Sequence, residues 1–292
     1  MSDPEPPQSK MDIDRPKKSK KRTAPKEDEA SSSEEEEKDL LNIDFEFFDP
    51  LPHDFHGIKL LLRQLFDADA SLLDLSALTD IILDQKLVGS TVKVDGREGD
   101  PFSFLSLLNL ELHSNSPAVK SLLEYITSQT TSTPLHPLLP PLIGENSKTA
   151  IILSERLINM PPEISPPSYK MLLEEISYAV EDGEPYNFTH YLLLSKLYSE
   201  VESTIPTSPP PSTKRQKTKS KKKSKEELTF NFHPEDDIFL QNAVEAITYN
   251  YKHSPPPEAA DSKRAFQDAG IVTKGRMVLM TKDGFERAIS LL

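Results

Sequence analysis

The chain runs to 292 residues, room for one large domain or two small ones, and only 36% of them are apolar against about half in an ordinary globular domain, so part of it lies outside any core. The absence of cysteine excludes disulfides, thiol catalysis and thiolate metal sites, and no apolar run resembles a secretory signal or a membrane span, which describes a soluble protein made for a reducing compartment. The formal charge of −13, from 34 Lys/Arg and 47 Asp/Glu, hides a strong segregation along the chain.

Residues 1–41, rich in Pro, Ser, Lys and Glu, read as a disordered charged tail with 9 basic and 12 acidic residues. The tail contains a compact basic run, Arg15, Lys17, Lys18, Lys20, Lys21 and Arg22, and then Ser31, Ser32 and Ser33 ahead of four glutamates. Ordered structure is expected over 42–292. Ile43, Phe45 and Phe47 alternate with Asp44 and Glu46, the period of a strand. Asp54 is placed to cap a helix whose stripe is Ile58, Leu61, Leu62 and Leu65, and Leu75, Leu78, Ile81 and Ile82 mark a second helix. Val88 to Val94 and Phe102 to Leu110 read as two strands of a hairpin joined by the polar 95–100 link. Ser116-Pro117 opens a helix carrying Val119, Leu122, Leu123 and Ile126, and the proline-rich 131–142 reads as a loop.

Thr149 to Arg156 is a short apolar strand suited to the middle of a sheet, followed by a connector from Pro161 to Pro167. Tyr169, Leu172, Ile176 and Val180 mark a helix ending at Gly183, and His190 to Val201 is another apolar strand. Residues 203–226 have no core residues and read as a disordered insertion. They include a second basic run, Lys214, Arg215, Lys217, Lys219, Lys221, Lys222, Lys223 and Lys225, with no acid among them. Leu228, Phe230 and Phe232 alternate as a strand. Pro234, Glu235, Asp236 and Asp237 open a helix lined by Leu240, Val244, Ile247 and Tyr251, and the acids suit its positive end. A strand around Arg276–Met280 and a helix from about Asp283 close the chain. The order predicts one α/β domain with a central mixed β-sheet flanked by helices.

Catalytic and metal-binding patterns are sparse. His53 and His56 flank a helix start without further ligands, so structural or solvent roles are expected of them, and His233 reads as part of a capping segment. Asp236 and Asp237 read as a solvated helix start. Gly270-Ile-Val-Thr-Lys-Gly-Arg276 lacks the lysine and hydroxyl of a phosphate loop and leads into a strand. No G-x-G-x-x-G or G-x-S-x-G occurs, and no cofactor or metal site is expected. The basic runs at 15–22 and 214–225 have the composition that nuclear import receptors read, and Ser31, Ser32 and Ser33 suit an acid-directed kinase. Outside the tail and the second basic run, 17 basic residues stand against 35 acidic ones, a body charge near −18. Such a body repels nucleic acid phosphates and attracts cationic partners.

Several segments stand out in chain order: Ile43-Asp-Phe-Glu-Phe-Phe-Asp-Pro50, Asp54-Phe-His-Gly-Ile-Lys-Leu-Leu-Leu62, Leu78-Thr-Asp-Ile-Ile-Leu-Asp-Gln85 with Val88-Gly89, Asp100-Pro101-Phe102, Leu107-Leu-Asn-Leu110, Leu153-Ser-Glu-Arg-Leu-Ile-Asn-Met-Pro-Pro162, Tyr191-Leu-Leu-Leu-Ser195, and Phe285. Together they resemble the BCCIP family. The likeness covers about 43–292 apart from the basic insertion, and its motifs are structural rather than chemical. It implies an acetyltransferase (GNAT)-like topology without acetyltransferase function. For the fungal, Bcp-type branch it implies a nuclear chaperone of a basic large-subunit ribosomal protein, linked also to export of a lipid kinase. The residues agree on the missing cofactor loop: the chain after Arg156 is Leu157-Ile-Asn-Met-Pro-Pro162, and prolines lack the N–H groups that would hold a pyrophosphate. The expected function is therefore a non-enzymatic acidic escort of a basic client, in the nucleus with shuttling to the cytoplasm. The alternatives are an acyl-CoA-dependent N-acetyltransferase with an altered cofactor loop and an acidic histone chaperone. Neither membrane insertion nor sequence-specific nucleic acid binding is expected.

Overall fold

A computed structural model describes residues 44–144, 147–200, 228–253 and 270–292. All of these fall in one compact unit, 43–292. The basic runs at 15–22 and 214–225, the serines at 31–33, and the expected tail and insertion lie outside the described residues.

Eight strands form one mixed sheet: β1 (Glu46–Phe48), β2 (Ser90–Lys93), β3 (Ser103–Asn109), β4 (Thr149–Arg156), β5 (His190–Glu200), β6 (Thr229–Asn231), β7 (Glu245–Tyr249) and β8 (Ile271–Thr281). The order is β1-β2-β3-β4-β5-β8-β7, with β6 also paired to β5. Every pairing is antiparallel except β4 with β5. A parallel pair needs a long crossover. Helix α5 (Ser165–Glu181) makes it here, after α1 (Phe55–Phe66), α2 (Leu75–Asp84), α3 (Pro117–Thr130) and the single turn α4 (Pro140–Ile143). The short α6 (Asp236–Gln241) and the C-terminal α7 (Lys282–Leu291) complete the helices among the described residues.

Alternation along the strands divides the core into two layers. Ile151 and Leu153 of β4, Leu192 and Leu194 of β5, and Met277 and Leu279 of β8 pack against α1, α2 and α3. Their neighbours Ala150, Ile152, Tyr191, Leu193, Val278 and Met280 pack with Tyr169, Leu172, Phe239 and Phe285 of α5, α6 and α7. Strands buried on both faces read as continuous apolar runs, which is why β4 and β5 are so plain in the sequence. The α1 stripe Ile58, Leu61, Leu62 and Leu65 is buried as its spacing requires. After α5, Gly183 takes φ +82°, a left-handed conformation that closes the helix at little steric cost.

Four local expectations need correction. The helix expected to run through Leu240, Val244, Ile247 and Tyr251 stops at Gln241, and Glu245–Tyr249 is the edge strand β7. Val244, which that helical stripe would have buried, is 53% exposed. The β-branched and aromatic residues of 244–251 favour the pleated form once β8 offers an edge. The Pro161–Pro167 connector already contains a 3-10 turn at Pro162–Ile164 and the start of α5, whose Pro166 and Pro167 occupy the first turn, where N–H groups have no helical partner. The loop at 131–142 holds a 3-10 turn, His136–Leu138, and α4, pinned by buried Leu135 and Leu139. The last strand is eleven residues long and pairs with β5 along its whole length.

Candidate functional site

β8 borders one edge of β5 from His190 to Glu200. On the other edge β4 pairs with β5 only through Leu153↔Leu194, and β6 takes over from Leu197↔Asn231. β4 stays with β3 as far as Ser103↔Arg156, so a gap opens between β4 and β6 beside Ser195 and Lys196. The segment linking β6 to α6 and the first residue of α6 fill this gap with His233, Glu235 and Asp236, all buried.

Strand parity sends Glu155 to the α1 side and Ser154 and Arg156 to the α5 side. On the α5 side, the Arg156 guanidinium donates to both oxygens of Glu235, one of them Nη2 to Oε2 at 3.0 Å. Ser165 Oγ donates to Glu235 Oε1 at 2.6 Å, tying in the first turn of α5. Ser195 Oγ donates to Asp236 Oδ2 at 2.5 Å, and Arg276 lies 3.9 Å from the same oxygen while donating to Asn231. Toward α1, Glu155 stands between Lys196 Nζ at 2.7 Å and His233 Nε2 at 3.2 Å, close polar contacts whose geometry falls short of aligned hydrogen bonds. The space lined by Ser154, Tyr169, Ser195, His233, Glu235 and Asp236 is too narrow for a water molecule.

Desolvation and pairing compete at each carboxylate. Burial pushes Glu155 up, but His233 and Lys196 outweigh it and hold the carboxyl below its usual range. Burial likewise raises Glu235, and Arg156, His233 and Ser165 overcome it, so Glu235 stays ionised. Asp236 has weaker support, and burial drives its carboxyl up to about 6 against the pull of His233 and Ser195. The network thus neutralises itself, with no open face for a substrate.

A second buried pair lies at the other end of the sheet. Asp54 does not cap α1 with its side chain; its Oδ2 accepts the Leu51 N–H, and its Oδ1 meets Lys93 Nζ at 2.7 Å, both side chains fully buried. Lys93 also donates to the Arg97 carbonyl at 2.7 Å and sits 3.2 Å from His53 Nε2, which gives His53 the structural role expected of it. His56 is exposed beside Phe55. A roomier cavity of about 370 Å³ lies between α1 and the start of α2, and its lining carries Asp67 and Asp74 as well as Lys59 and Arg63. Among the described residues no group of His, Asp or Glu is arranged to hold a metal ion, and no helix is long and apolar enough to cross a membrane.

Sequence reasoning missed the buried network. His233 and Asp236 are not a solvated cap: they plug the gap beside β5. The available signal was polar residues inside otherwise apolar strands, Glu155-Arg156 closing β4 and Ser195-Lys196 within β5. The burial of Lys93, Arg156, Lys196 and Arg276 has an outward consequence. Among the described residues, eleven Lys/Arg and twenty-three Asp/Glu remain at least partly exposed, so the acidic excess is concentrated on the surface.

A family model described as BCCIP matches residues 40–239. Protein bcp1 of Aspergillus fumigatus is 49% identical over 254 residues, covering 86% of this chain and 86% of the relative. Protein bcp1 of Schizosaccharomyces pombe is 45% identical over 263 residues, covering 87% and 90%. The crystal structure of BCP1 from Saccharomyces cerevisiae superposes with a TM-score of 0.58 at 27% identity, covering 90% of this chain and 93% of that one.

Proposed function

The chain belongs to the BCCIP family, and from that premise we propose that it is a non-enzymatic, acidic nuclear chaperone that escorts a basic ribosomal protein of the large subunit. On this reading it supports assembly and nuclear export of that subunit. A nuclear import receptor reads its basic runs, and a lipid kinase is a further export cargo. The observation that carries the reading is the outer surface, where exposed carboxylates outnumber exposed cations about two to one among the described residues. A ribosomal protein away from RNA presents uncompensated Lys and Arg. An anionic folded surface captures it by long-range attraction and competes with nonspecific RNA contacts.

The topology belongs to the same proposal. A sheet that is antiparallel except for one central parallel pair, with a gap opening beyond that pair, supports a GNAT-like architecture. Its chemistry speaks for escort rather than acyl transfer. Pro161, Pro162, Pro166 and Pro167 crowd the β4–α5 junction and have no N–H to offer a pyrophosphate, and His233, Asp236 and Glu235, the last held by Arg156, occupy the gap itself.

The test is capture from nuclear extract with the full chain, elution by rising salt, and identification of the eluted proteins. A Lys/Arg-rich large-subunit ribosomal protein released by salt is the expected result. Histones in its place would favour the histone-chaperone alternative. Micromolar binding of acetyl-CoA by calorimetry, with turnover, would replace the escort reading by the transferase.

A further inference from the structure

The end of the sheet beyond α1 carries an apolar feature distinct from the acidic surface. Strand parity places Lys196, Tyr198 and Glu200 on the same side of β5 as Leu192 and Leu194. The β6 register sets Phe230 opposite Tyr198. Their rings stack with centroids 5.3 Å apart and planes 25° apart. The Phe232 ring lies 5.1 Å from Tyr198, and the Lys196 ammonium sits 5.0 Å from its centroid. Phe230 is 38% and Leu228 63% exposed, while Tyr198 and Phe232 are half-buried. Glu200, exposed, stands at the rim, its N–H bonded to the Leu228 carbonyl at 3.2 Å.

We propose that this aromatic platform is the docking face for the basic client, and that it receives an Arg- or Lys-rich segment whose cation lies over Tyr198 and Phe230 beside the Glu200 carboxylate. The assignment rests on the escort reading and says where that partner is gripped. Aromatic faces attract cations through their quadrupole, and a guanidinium stacks on them with little loss of hydration. Lys196 over Phe232 is one such contact already made within the chain. An exposed ring backed by half-buried ones, as Phe230 is by Tyr198 and Phe232, is also what a protein interface buries as its energetic centre, which a purely ionic surface lacks. A nucleic acid base would stack on the same rings, but its phosphates would meet the exposed Glu200 carboxylate at the rim and the acidic excess of the body around it, so the charge favours a cationic polypeptide.

The probe is a dye-labelled peptide rich in Arg and Lys, measured against the full chain by fluorescence anisotropy, with a Gln-substituted peptide as control. Tyr198→Ala and Phe230→Ala should each weaken binding about three- to tenfold. Phe230→Tyr should retain it. Phe230→Leu, which keeps apolar bulk but removes the ring, should behave like Phe230→Ala. Far-UV circular dichroism and melting temperature identify any variant that has lost its fold. Wild-type affinity in the Tyr198→Ala/Phe230→Ala double variant would overturn the docking assignment and leave the escort reading standing. Failure of the wild-type chain to bind either the peptide or any basic ribosomal protein would overturn both. Preference for single-stranded RNA that disappears in the same variants would overturn the partner class. A concentration-dependent dimer abolished by Phe230→Ala would assign the face to a second copy. Peptide binding that needs prior removal of 203–226 would assign it to the chain's own lysines. Either result would overturn the proposal.

Discussion

Replacing Arg156 by methionine isolates what the buried network contributes. The Arg156 and Glu235 side chains are 8% and 6% exposed, so Glu235 cannot exchange its lost partner for bulk water. It would keep the Ser165 hydroxyl at 2.6 Å as its nearest donor. Breaking a buried pair by removing one member costs about 3–5 kcal/mol, mostly the penalty of the stranded charge. For a folded unit of this size, about 2–4 °C per kcal/mol turns that cost into a fall in melting temperature of about 6–20 °C. Adding Glu235→Leu to Arg156→Met removes the stranded charge and should recover most of the loss, because a buried ion pair and an apolar pair of similar volume are close in energy. Urea denaturation followed by far-UV circular dichroism measures both variants, the chain having no tryptophan to report by fluorescence. A loss below about 1 kcal/mol for Arg156→Met alone would mean that water reaches Glu235 and the gap is not sealed. Equal losses in the single and double variants would mean that packing, not charge, dominates there.

The neighbouring carboxylates should give opposite pH signatures. Asp236, raised to about 6, binds its proton more tightly folded than unfolded, so its favourable contribution is complete at low pH and is lost as pH rises through about 6. Glu155 and Glu235, held low, stabilise above the ordinary carboxylate range and lose that contribution as pH falls through their folded values. Relative to wild type, Asp236→Asn should therefore gain about 1–3 kcal/mol on going from about pH 4.5 to about pH 7.5, and a flat difference would refute the burial argument. Gly275→Ala should destabilise by about 1–3 kcal/mol, since a Cβ there would fall 2.2 Å from Cζ of Tyr249, its cross-strand partner on β7. Hydrogen exchange concentrated in 245–249 would locate that damage. Deleting 15–22 together with 214–225 should abolish nuclear accumulation of the fluorescently tagged chain, and unchanged imaging would remove those runs as import signals.

How much of this was legible in the sequence depended on the range of the interactions involved. β4 and β5 were plain because burial on both faces leaves an apolar run that needs no knowledge of neighbours. α1 and α3 were plain because four apolar positions at helical spacing encode a buried stripe locally. β7 was not, since Leu240, Val244, Ile247 and Tyr251 fit a helical stripe and only the edge of β8 made the pleated form better. Glu155 and Arg156 find their charge partners at Lys196, His233 and Glu235, up to 79 residues away, across a gap that exists only because β4 and β6 share one edge of β5. In a chain with so many carboxylates, Glu235-Asp236-Asp237 after a proline looked like any solvated helix start, and nothing local distinguished the two that are buried from the one that is not.

The same range dependence separates the two halves of the proposed function. Acidity is additive over residues and survives any arrangement of the fold, so the attraction to a cationic partner was readable from composition alone. An anchoring face is not additive. Tyr198 is separated in sequence from Phe230 and Phe232 by the basic insertion, and the rings form one surface because β6 folds back antiparallel on β5 in a register that sets residue 230 against 198. Burying Lys93, Arg156, Lys196 and Arg276 sharpens the first half, since it withdraws cations from the surface while the paired carboxylates keep the core neutral. Restoring one cation outside, by Glu200→Lys at the platform rim, should therefore slow capture of a basic peptide more at low salt than at high salt. Truncating Phe230 should speed release at every salt concentration, because one contact acts through the long-range field and the other only on touching.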